Sequence, residues 1–517
     1  MRIAALDLGS NSFHLIVADA TGDGTLVGVL REKEMLRLGD VVAREGRITG
    51  KAEEAALATL RRFKALADTA GAREIVACAT SAIREAANRD ELVERIASET
   101  GIAVQVISGD TEARLIFSAV RASVLLEPAP ALCLDLGGGS LEVTVGDVNG
   151  LRYAASVPLG VARLTAQVVR DDPPSRRDLR RLGERIDEVL EPVVVAVAGH
   201  QPKLLVGTSG TLTDLAAAAV NRRTGALPPS LNQLEVSRDE LEDLHGALVT
   251  STTAQRQRIT GMDARRAPVV VAGSVLILRA MTAFRLDRMR IGTWALREGM
   301  LLEAAEHHRP SDPSDDPRAL RRTSVLDLCR RCGWPAEHSR QVARLSLTLF
   351  DATTELHGLG HGERALLEYG ALLHDVGEMV SAEDHAKHSA YLIEHGRLRG
   401  FDPGEVATLA CLGRYHRKGD PKEAFAPYAL LAAHRRELLA PLVALLQVAH
   451  GLDHGRTGAV TDLAVDVDSE RVRLRVTAAS DAQLELWGAS QSGKRFQRVL
   501  GRRLELVADA RATASSE

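Results

Sequence analysis

The chain has 517 residues, which at about 150 residues per domain suggests three or four domains. With 45% hydrophobic and 26% charged residues and a net charge of −4, it has the composition of a soluble globular protein and not of a generic nucleic-acid binder, whose domain would be basic. Aromatic residues are only 3%, which argues against base-stacking platforms.

Residues 1–125 alternate strand and helix patterns. Arg2 to Leu6 and Phe13 to Ala18 are short apolar runs around a turn, and Ala52 to Ala70 has helical spacing. Glu74 to Ala79 and Ala103 to Ile107 read as buried strands, each followed by a helical pattern. Residues 126–305 begin again in the same way. Leu6-Asp7-Leu8-Gly9-Ser10-Asn11-Ser12 aligns with Leu134-Asp135-Leu136-Gly137-Gly138-Gly139-Ser140, and both continue through an apolar strand to an Asp, Asp19 and Asp147. That is an internal duplication, which suits two related α/β domains facing each other across a cleft. A polar, Pro-rich stretch, 309–317, reads as a linker. Residues 318–455 then turn rich in Leu, Ala, Arg and His with helical periodicity, and eleven of the 16 histidines lie between His338 and His454. The last piece, 456–510, alternates as strands over Asp462 to Thr477 and ends in a basic segment, Ser490 to Leu506, expected to form a small α+β domain.

The five cysteines are scattered, and a large chain with an odd count does not suggest a disulfide framework. The first residues show no charged leader with an apolar stretch, and Val269 to Leu278 is too short to span a bilayer. The expectation is a cytoplasmic protein with no membrane and no nucleic-acid partner.

A strand, a Gly-rich turn and a returning strand can cradle phosphate, because successive backbone N–H groups point into one concavity. Ser10, Asn11 and Ser12 in the first copy, and Gly137, Gly138, Gly139 and Ser140 in the second, are the candidate phosphate binders. A plain β-hairpin explains one such turn as well, but the duplication favours the cradle. Asp135 and Glu142 flank the second turn, so both carboxylates can face one site and offer the hard oxygen ligands that Mg²⁺ shares with phosphate. Gly207-Thr208-Ser209-Gly210-Thr211 follows a strand and opens a helical pattern. Gly207, Ser209, Gly210 and Thr211 could bind anions at the helix N-terminus, or the hydroxyls could simply cap it. Glu112, in the first turn after Ser108-Gly109, is either a dipole-favoured acid or a general base for an attacking water.

These segments resemble the exopolyphosphatase / guanosine pentaphosphate phosphohydrolase family, within the actin-like (RNase H-like) superfamily. The similarity runs through Asp7 to Ser12, Ala79 to Arg84, Ser108-Gly109 with Glu112-Ala113-Arg114, Asp135 to Glu142, Pro158-Leu159-Gly160 with Arg163-Leu164, Gly207 to Leu212, and Leu296 to Gly299. It implies two duplicated actin-like domains flanking a cleft and hydrolysis of a terminal phosphoanhydride. The substrate would be inorganic polyphosphate or guanosine pentaphosphate, with Glu112 as catalytic base, Asp135 and Glu142 on Mg²⁺, and a homodimer as the assembly. A protein that keeps the loops but only senses these polyanions is a third reading. The family often has paired Glu at the position of Glu112, and here Thr111 replaces the first. Arg84 and Arg163 could touch phosphate or form structural ion pairs.

Ala371 to Gly377 resembles the core of an HD phosphohydrolase domain, with His338, His374 and Asp375 as its possible metal residues and His385 and His388 as further ligands. The resemblance places a last Asp near Val448 to Asp453, where His450 stands instead, and Asp453 could compensate only by turning inward. A degenerate helical domain with packed histidines is the alternative, because a ligand set must be complete to bind firmly. Long members of the resembled family carry such a degenerate domain, which is thought to help hold polyphosphate and form the dimer. Basic clusters at Arg318 with Arg321-Arg322, Arg330-Arg331, Arg414 with His416-Arg417-Lys418, and Lys494-Arg495 with Arg498 and Arg502-Arg503 could line a polyanion groove or be solvated helix faces. Cys329-Arg330-Arg331-Cys332 has redox spacing but lacks the strand context of a redox site.

Overall fold

The structure is a computed structural model and describes residues 1–20, 26–308 and 319–508. The chain divides into two compact units, 1–319 and 320–517. The expected linker, 309–317, and Arg318 lie outside the described residues.

The first unit holds two sheets of the same plan. β1 (Arg2–Leu8), β2 (Ser12–Ala20), β3 (Leu26–Met35), β4 (Glu74–Ala79) and β5 (Val104–Val106) form a sheet of order β3-β2-β1-β4-β5. β6 (Ala131–Leu136), β7 (Leu141–Asp147), β8 (Gly150–Val157), β9 (Leu204–Thr208), β10 (Glu235–Ser237) and β11 (Arg288–Ile291) form the other, of order β10-β11-β9-β6-β7-β8. In each, an antiparallel meander is followed by parallel strands reached through helices, and in the second β10 adds antiparallel at the edge. The duplicated actin-like arrangement is therefore present in the strand order and in the register. Asp7 pairs with His14 across β1 and β2 as Asp135 pairs with Glu142 across β6 and β7.

Successive apolar residues of β1 point to opposite faces of the sheet, which explains the layering. Ala4, Leu6 and Leu8 belong to one core, while Ile3 and Ala5 point to the opposite face. A strand buried on both faces reads as a continuous apolar run, as Arg2 to Leu6 does. The second face carries helix Gly109–Arg121, through Leu115, Ile116, Phe117 and Val120, and the same cluster takes in Ala131, Cys133, Leu204 and Val206 of the second sheet. Helix Leu296–His308 joins it through Leu296, Met300, Leu301 and Ala304 and packs on β1 and on helix Gly109–Arg121. The expected boundaries, 1–125 and 126–305, thus separate the sheets but not the packing, because the last helix of the second segment returns to the first sheet.

In the second unit, helices Leu320–Arg331, Ala336–Ala352, His361–Leu373, His385–His395, Pro403–Tyr415 and Ala433–Gly451 precede a small sheet. β12 (Val460–Val467) and β13 (Arg471–Ala478) form a hairpin, and β14 (Arg503–Ala508) adds in parallel after helices Gln483–Ser490 and Gly493–Leu500. One hydrophobic cluster runs from Val325 through Leu446 to Val472 and Phe496. The expected division into 318–455 and 456–510 falls inside this single core, because the helices leave an apolar face that the sheet covers. No helix among the described residues is long and apolar enough to cross a membrane. All five cysteines are buried and free, and burial pushes the Cys329 thiol up to about 12, so the Cys329/Cys332 pair is core packing.

Gly299 tests the returning helix. A Cβ there would lie 2.1 Å from the Leu115 carbonyl oxygen, which is backbone and cannot swing aside. Gly299→Ala should destabilise the first unit by about 2 kcal/mol, as overpacking does, read by urea denaturation. An unchanged midpoint would show that the two helices do not meet so closely.

Candidate active site

The β1–β2 and β6–β7 turns meet head on. A Cβ on Gly139 would strike Ser81 Oγ at 2.4 Å and Ser10 Oγ at 2.8 Å, and one on Gly138 would reach Asn11 Cβ at 3.3 Å. Gly160 lies against Gly138 so closely that a Cβ would stand 2.3 Å from its backbone, which is the physical reason for glycine in Pro158-Leu159-Gly160. Arg163 ties this junction together, donating from Nε to Gly139 O at 2.8 Å and from Nη2 to Glu85 at 2.7 Å. The ion pair expected as one reading of Arg163 is present.

Between the turns lies a cavity of about 360 Å³ within the first unit. Ser10, Asn11, Ser12, Gly137, Gly138, Gly139, Ser140, Ser209, Gly210, Thr211, Glu112, Asp135 and Glu142 all line it. Two candidates do not. Gly207 sits inside β9, where a Cβ would stand 2.5 Å from Met289 Sδ, so it serves strand packing. Arg84 is not on the cavity wall; it donates from Nη1 to Ile107 O at 2.8 Å and to Glu112 Oε2 at 3.1 Å. Ser209 adopts φ 71°, the left-handed region a serine rarely enters, and its Oγ donates to Leu136 O at 2.6 Å. The hydroxyl is thereby committed to the second turn, and the helix Ser209–Thr224 starts directly at the cavity.

Glu112 is not a simple dipole partner. Ser108 caps its helix by accepting from Thr111 N, and Asp110 is the exposed acid of that first turn. Glu112 is instead 7% exposed and turned to the cavity. The helix can come this close because Gly109 leaves room for Ser156, whose Oγ donates to Glu142 Oε1 at 2.8 Å. Thr111, in place of a second Glu, bonds through Oγ1 to Ser108 Oγ at 3.0 Å and belongs to the cap.

Four carboxylates crowd this space. Burial pushes Glu112 up to about 7 against the pull of Arg84, and pushes Asp7 and Asp135 up to about 6. Glu142 is raised well above the usual range by burial and by the charges of Glu112 and Asp135. Asp135 also accepts from Thr208 Oγ1 at 2.6 Å. Such a set of hard oxygen donors with unneutralised charge suits Mg²⁺, which takes carboxylate, phosphate and water oxygens.

Cations share this lining: Arg297 belongs to the quoted segment Leu296 to Gly299, while Lys33 and Arg266 lie in no motif. Lys33 on β3, Arg266 and Arg297 line the cavity. The Arg266 guanidinium lies over Gly210, where a Cβ would stand 2.1 Å from Nη2, and pairs with Asp214 at 2.8 Å. Burial and the fields of Arg266 and Arg265 lower the Lys33 ammonium. Lys33 and Arg266 have no sequence signal of their own, since they come from segments that no motif marks. His14 was missed although it is the duplicate of Glu142. Burial and then Arg297 push its imidazole down to about 2, so it is neutral. Arg297 Nη1 meets Nδ1 at 3.2 Å and can only donate, so Nδ1 accepts and Nε2–H donates to Ser12 Oγ at 2.8 Å. The Ser12 hydroxyl proton is then free to point into the cavity.

In the second unit, His338, His374 and Asp375 come together with His385, but His388 is not in the cluster. His416, grouped with the surface cations in the sequence, is fully buried there, and His450 completes the group. Asp453 turns inward to His338 Nδ1 at 2.7 Å. Several members of the basic clusters are already paired: Arg321 with Glu405 at 3.0 Å, Arg322 with Glu368, Arg495 and Arg498 with Asp420 at 2.9 and 2.6 Å.

The profile of the Ppx/GppA phosphatase family matches residues 16–308, and that of Ppx/GppA phosphatase, domain III, matches residues 320–486. Exopolyphosphatase 1 of Mycobacterium tuberculosis is 35% identical over 345 residues, 66% of this chain and 97% of that protein. Exopolyphosphatase 1 of Mycobacterium leprae is 36% identical over 331 residues, 63% of this chain and 94% of that protein. The crystal structure of an exopolyphosphatase from Cytophaga hutchinsonii superposes with a TM-score of 0.56 at 31% identity, covering 60% of this chain and 100% of that one. The Aquifex aeolicus member of the Ppx/GppA family gives 0.52 at 30% identity, covering 60% and 99%.

The crowded carboxylates have a pH consequence. A carboxyl whose folded pKa is raised binds its proton more tightly in the folded state, so the stability it contributes is present below its unfolded value and is lost as pH rises through its folded value. For Asp7, Asp135 and Glu112 that window runs from about 4 to about 7. In chelator-treated protein, Glu142→Gln should therefore melt a few degrees above the unsubstituted chain at pH 8 and close to it at pH 4, and Mg²⁺ should narrow the gap at pH 8. Calorimetry at the two pH values decides; a gap independent of pH would mean that the carboxylates do not repel one another.

Proposed function

Because the chain belongs to the Ppx/GppA phosphatase family, we propose that it is an exopolyphosphatase, cleaving the terminal phosphoanhydride of inorganic polyphosphate to release orthophosphate. The observation that carries this reading is Glu112, a buried carboxylate poised near neutral pH and facing both glycine-rich turns in one cavity. A base with a pKa near the operating pH is effective because a substantial fraction is deprotonated while it still holds a proton well. The names of the mycobacterial relatives favour polyphosphate over a nucleotide.

In this mechanism the N–H groups of the two turns and the Ser12 hydroxyl hold the terminal phosphate. Arg84 fixes the Glu112 carboxylate, which orients the attacking water and takes its proton. Asp135 and Glu142, with Asp7, would hold Mg²⁺, which would supply charge neutralisation to the phosphate oxygens. Lys33 and Arg266 face the negative charge of the phosphates that follow. No nucleophilic Ser, Cys or His is required, since phosphoryl transfer to water depends on positioning and charge more than on covalent chemistry. A homodimer completes the proposal and rests on the family resemblance alone.

Orthophosphate release from long-chain polyphosphate, with Mg²⁺, tests the assignment. Glu112→Gln should lower kcat by about 10²–10⁴-fold, the range for a lost general base. Faster release from guanosine pentaphosphate than from polyphosphate would move the substrate to the nucleotide and keep the mechanism. Polyphosphate binding without release from either substrate would instead make the protein a sensor. His14→Phe should leave the fold intact and cut kcat/KM about tenfold, the cost of one misplaced hydrogen-bond donor; an unchanged value would remove His14 from the positioning of Ser12.

A further inference from the structure

The second sheet carries one row of polar side chains across four neighbouring strands. Its order there is β9-β6-β7-β8, and the register sets Thr208 beside Asp135, Asp135 beside Glu142, and Glu142 beside Ser156. Residues directly opposite on adjacent strands share a face of the sheet, so the row reads hydroxyl, carboxylate, carboxylate, hydroxyl. Both hydroxyls reach inward along it. Thr208 Oγ1 donates to Asp135 Oδ2 at 2.6 Å, and Ser156 Oγ donates to Glu142 Oε1 at 2.8 Å. An ionised carboxylate has no proton to give, so each bond uses the hydroxyl's own hydrogen.

The two carboxylates line the cavity, and the two hydroxyls stand behind them, outside its lining. Thr208 is fully buried, and the other acceptor near its Oγ1, Leu134 O, is as far as 3.5 Å. Ser156 is half-buried and held by packing. Gly109 lies so close that a Cβ there would stand 2.4 Å from Ser156 Cβ and 2.9 Å from its Oγ. Gly109 opens the helix that carries Glu112. Ser156 therefore touches both the helix of the candidate base and the carboxylate of Glu142.

The first sheet supplies an internal comparison. The same register across β4-β1-β2-β3 sets Cys78 beside Asp7, Asp7 beside His14, and His14 beside Lys33. The duplicated plan thus requires no hydroxyl at either flanking position, and a thiol is only a weak donor. Hydroxyls flank the row where two carboxylates stand side by side. Like charges directly opposite each other are destabilising, and unrestrained carboxylates would turn apart. A hydroxyl on the outer side of each fixes one oxygen and limits how the group can rotate.

We infer that Thr208 and Ser156 are positioning residues, which hold Asp135 and Glu142 in the orientation that takes a divalent cation before the cation arrives. The assignment rests on the reading of these carboxylates as Mg²⁺ ligands and goes beyond it by naming the groups that prepare them. Outer hydrogen bonds orient a metal's ligands, and removing one typically costs about 10–100-fold in metal affinity. Neither hydroxyl meets the reacting phosphate, so its effect passes through the carboxylate it holds.

The test is a calorimetric titration of Mg²⁺ into the chelator-treated full chain, without substrate. The binding event of this site is the one that Glu142→Gln abolishes. Ser156→Ala and Thr208→Val should each weaken it about tenfold or more. Thr208→Ser keeps the hydroxyl and should bind close to the unsubstituted chain, whereas a role in packing alone would make the isosteric Val the milder change. Circular dichroism confirms that each variant is folded. Mg²⁺ affinity unchanged in both Ser156→Ala and Thr208→Val would overturn the inference, and so would Mg²⁺ binding that survives Glu142→Gln intact. No substrate enters the titration, so a chain that binds Mg²⁺ as expected but releases no orthophosphate would sink the exopolyphosphatase reading and leave the positioning roles standing.

Discussion

The first unit depends on the contact between its two glycine-rich turns. Gly138, Gly139 and Gly160 let backbone lie against backbone and against Ser10, Asn11 and Ser81. Any Cβ at Gly139 or Gly160 would push the hairpins apart. Their closeness brings the carboxylates at the ends of β1 and β6 into one space and gathers two rows of donors around it. The helix carrying Glu112 is held in the same space by a further close approach, Gly109 on Ser156.

Charge follows from that geometry. Asp7, Glu112, Asp135 and Glu142 are desolvated together, and the charge of Asp135 disfavours ionisation of the other three, while Lys33, Arg266 and Arg297 line the same cavity. Stability is given up to hold these buried carboxylates together, the usual compromise at a functional centre. The second unit shows a contrasting donor chemistry. Its buried nitrogens suit borderline transition ions, while the oxygens of the first suit a hard one.

Much of the first site was legible because its chemistry is local. A turn of Gly and Ser between two strands carries its own signal, and the duplication of Asp7 to Ser12 at Asp135 to Ser140 confirms it. Arg84 was legible as a residue but not as a role, since its ion pair with Glu112 spans 28 positions. Lys33 and Arg266 were invisible because nothing in the sequence around a lone cation tells which distant loop it will face. His416 was misread for the same reason. Beside Arg417 and Lys418 it looks like part of a solvated basic patch, yet it caps a helix and turns its ring into the core.

The sequence by itself determined the duplicated α/β plan, the glycine-rich turns, the carboxylates that flank them and the change of character after residue 305. Each of these rests on spacing within a few residues, where backbone geometry dictates which side chains share a face. Only the tertiary structure decided that helix Leu296–His308 returns to the first sheet, that residues 320–508 share one core, and that six His and Asp residues from five helices meet. Those outcomes depend on which apolar faces find each other across long stretches of chain, and no local pattern encodes that choice.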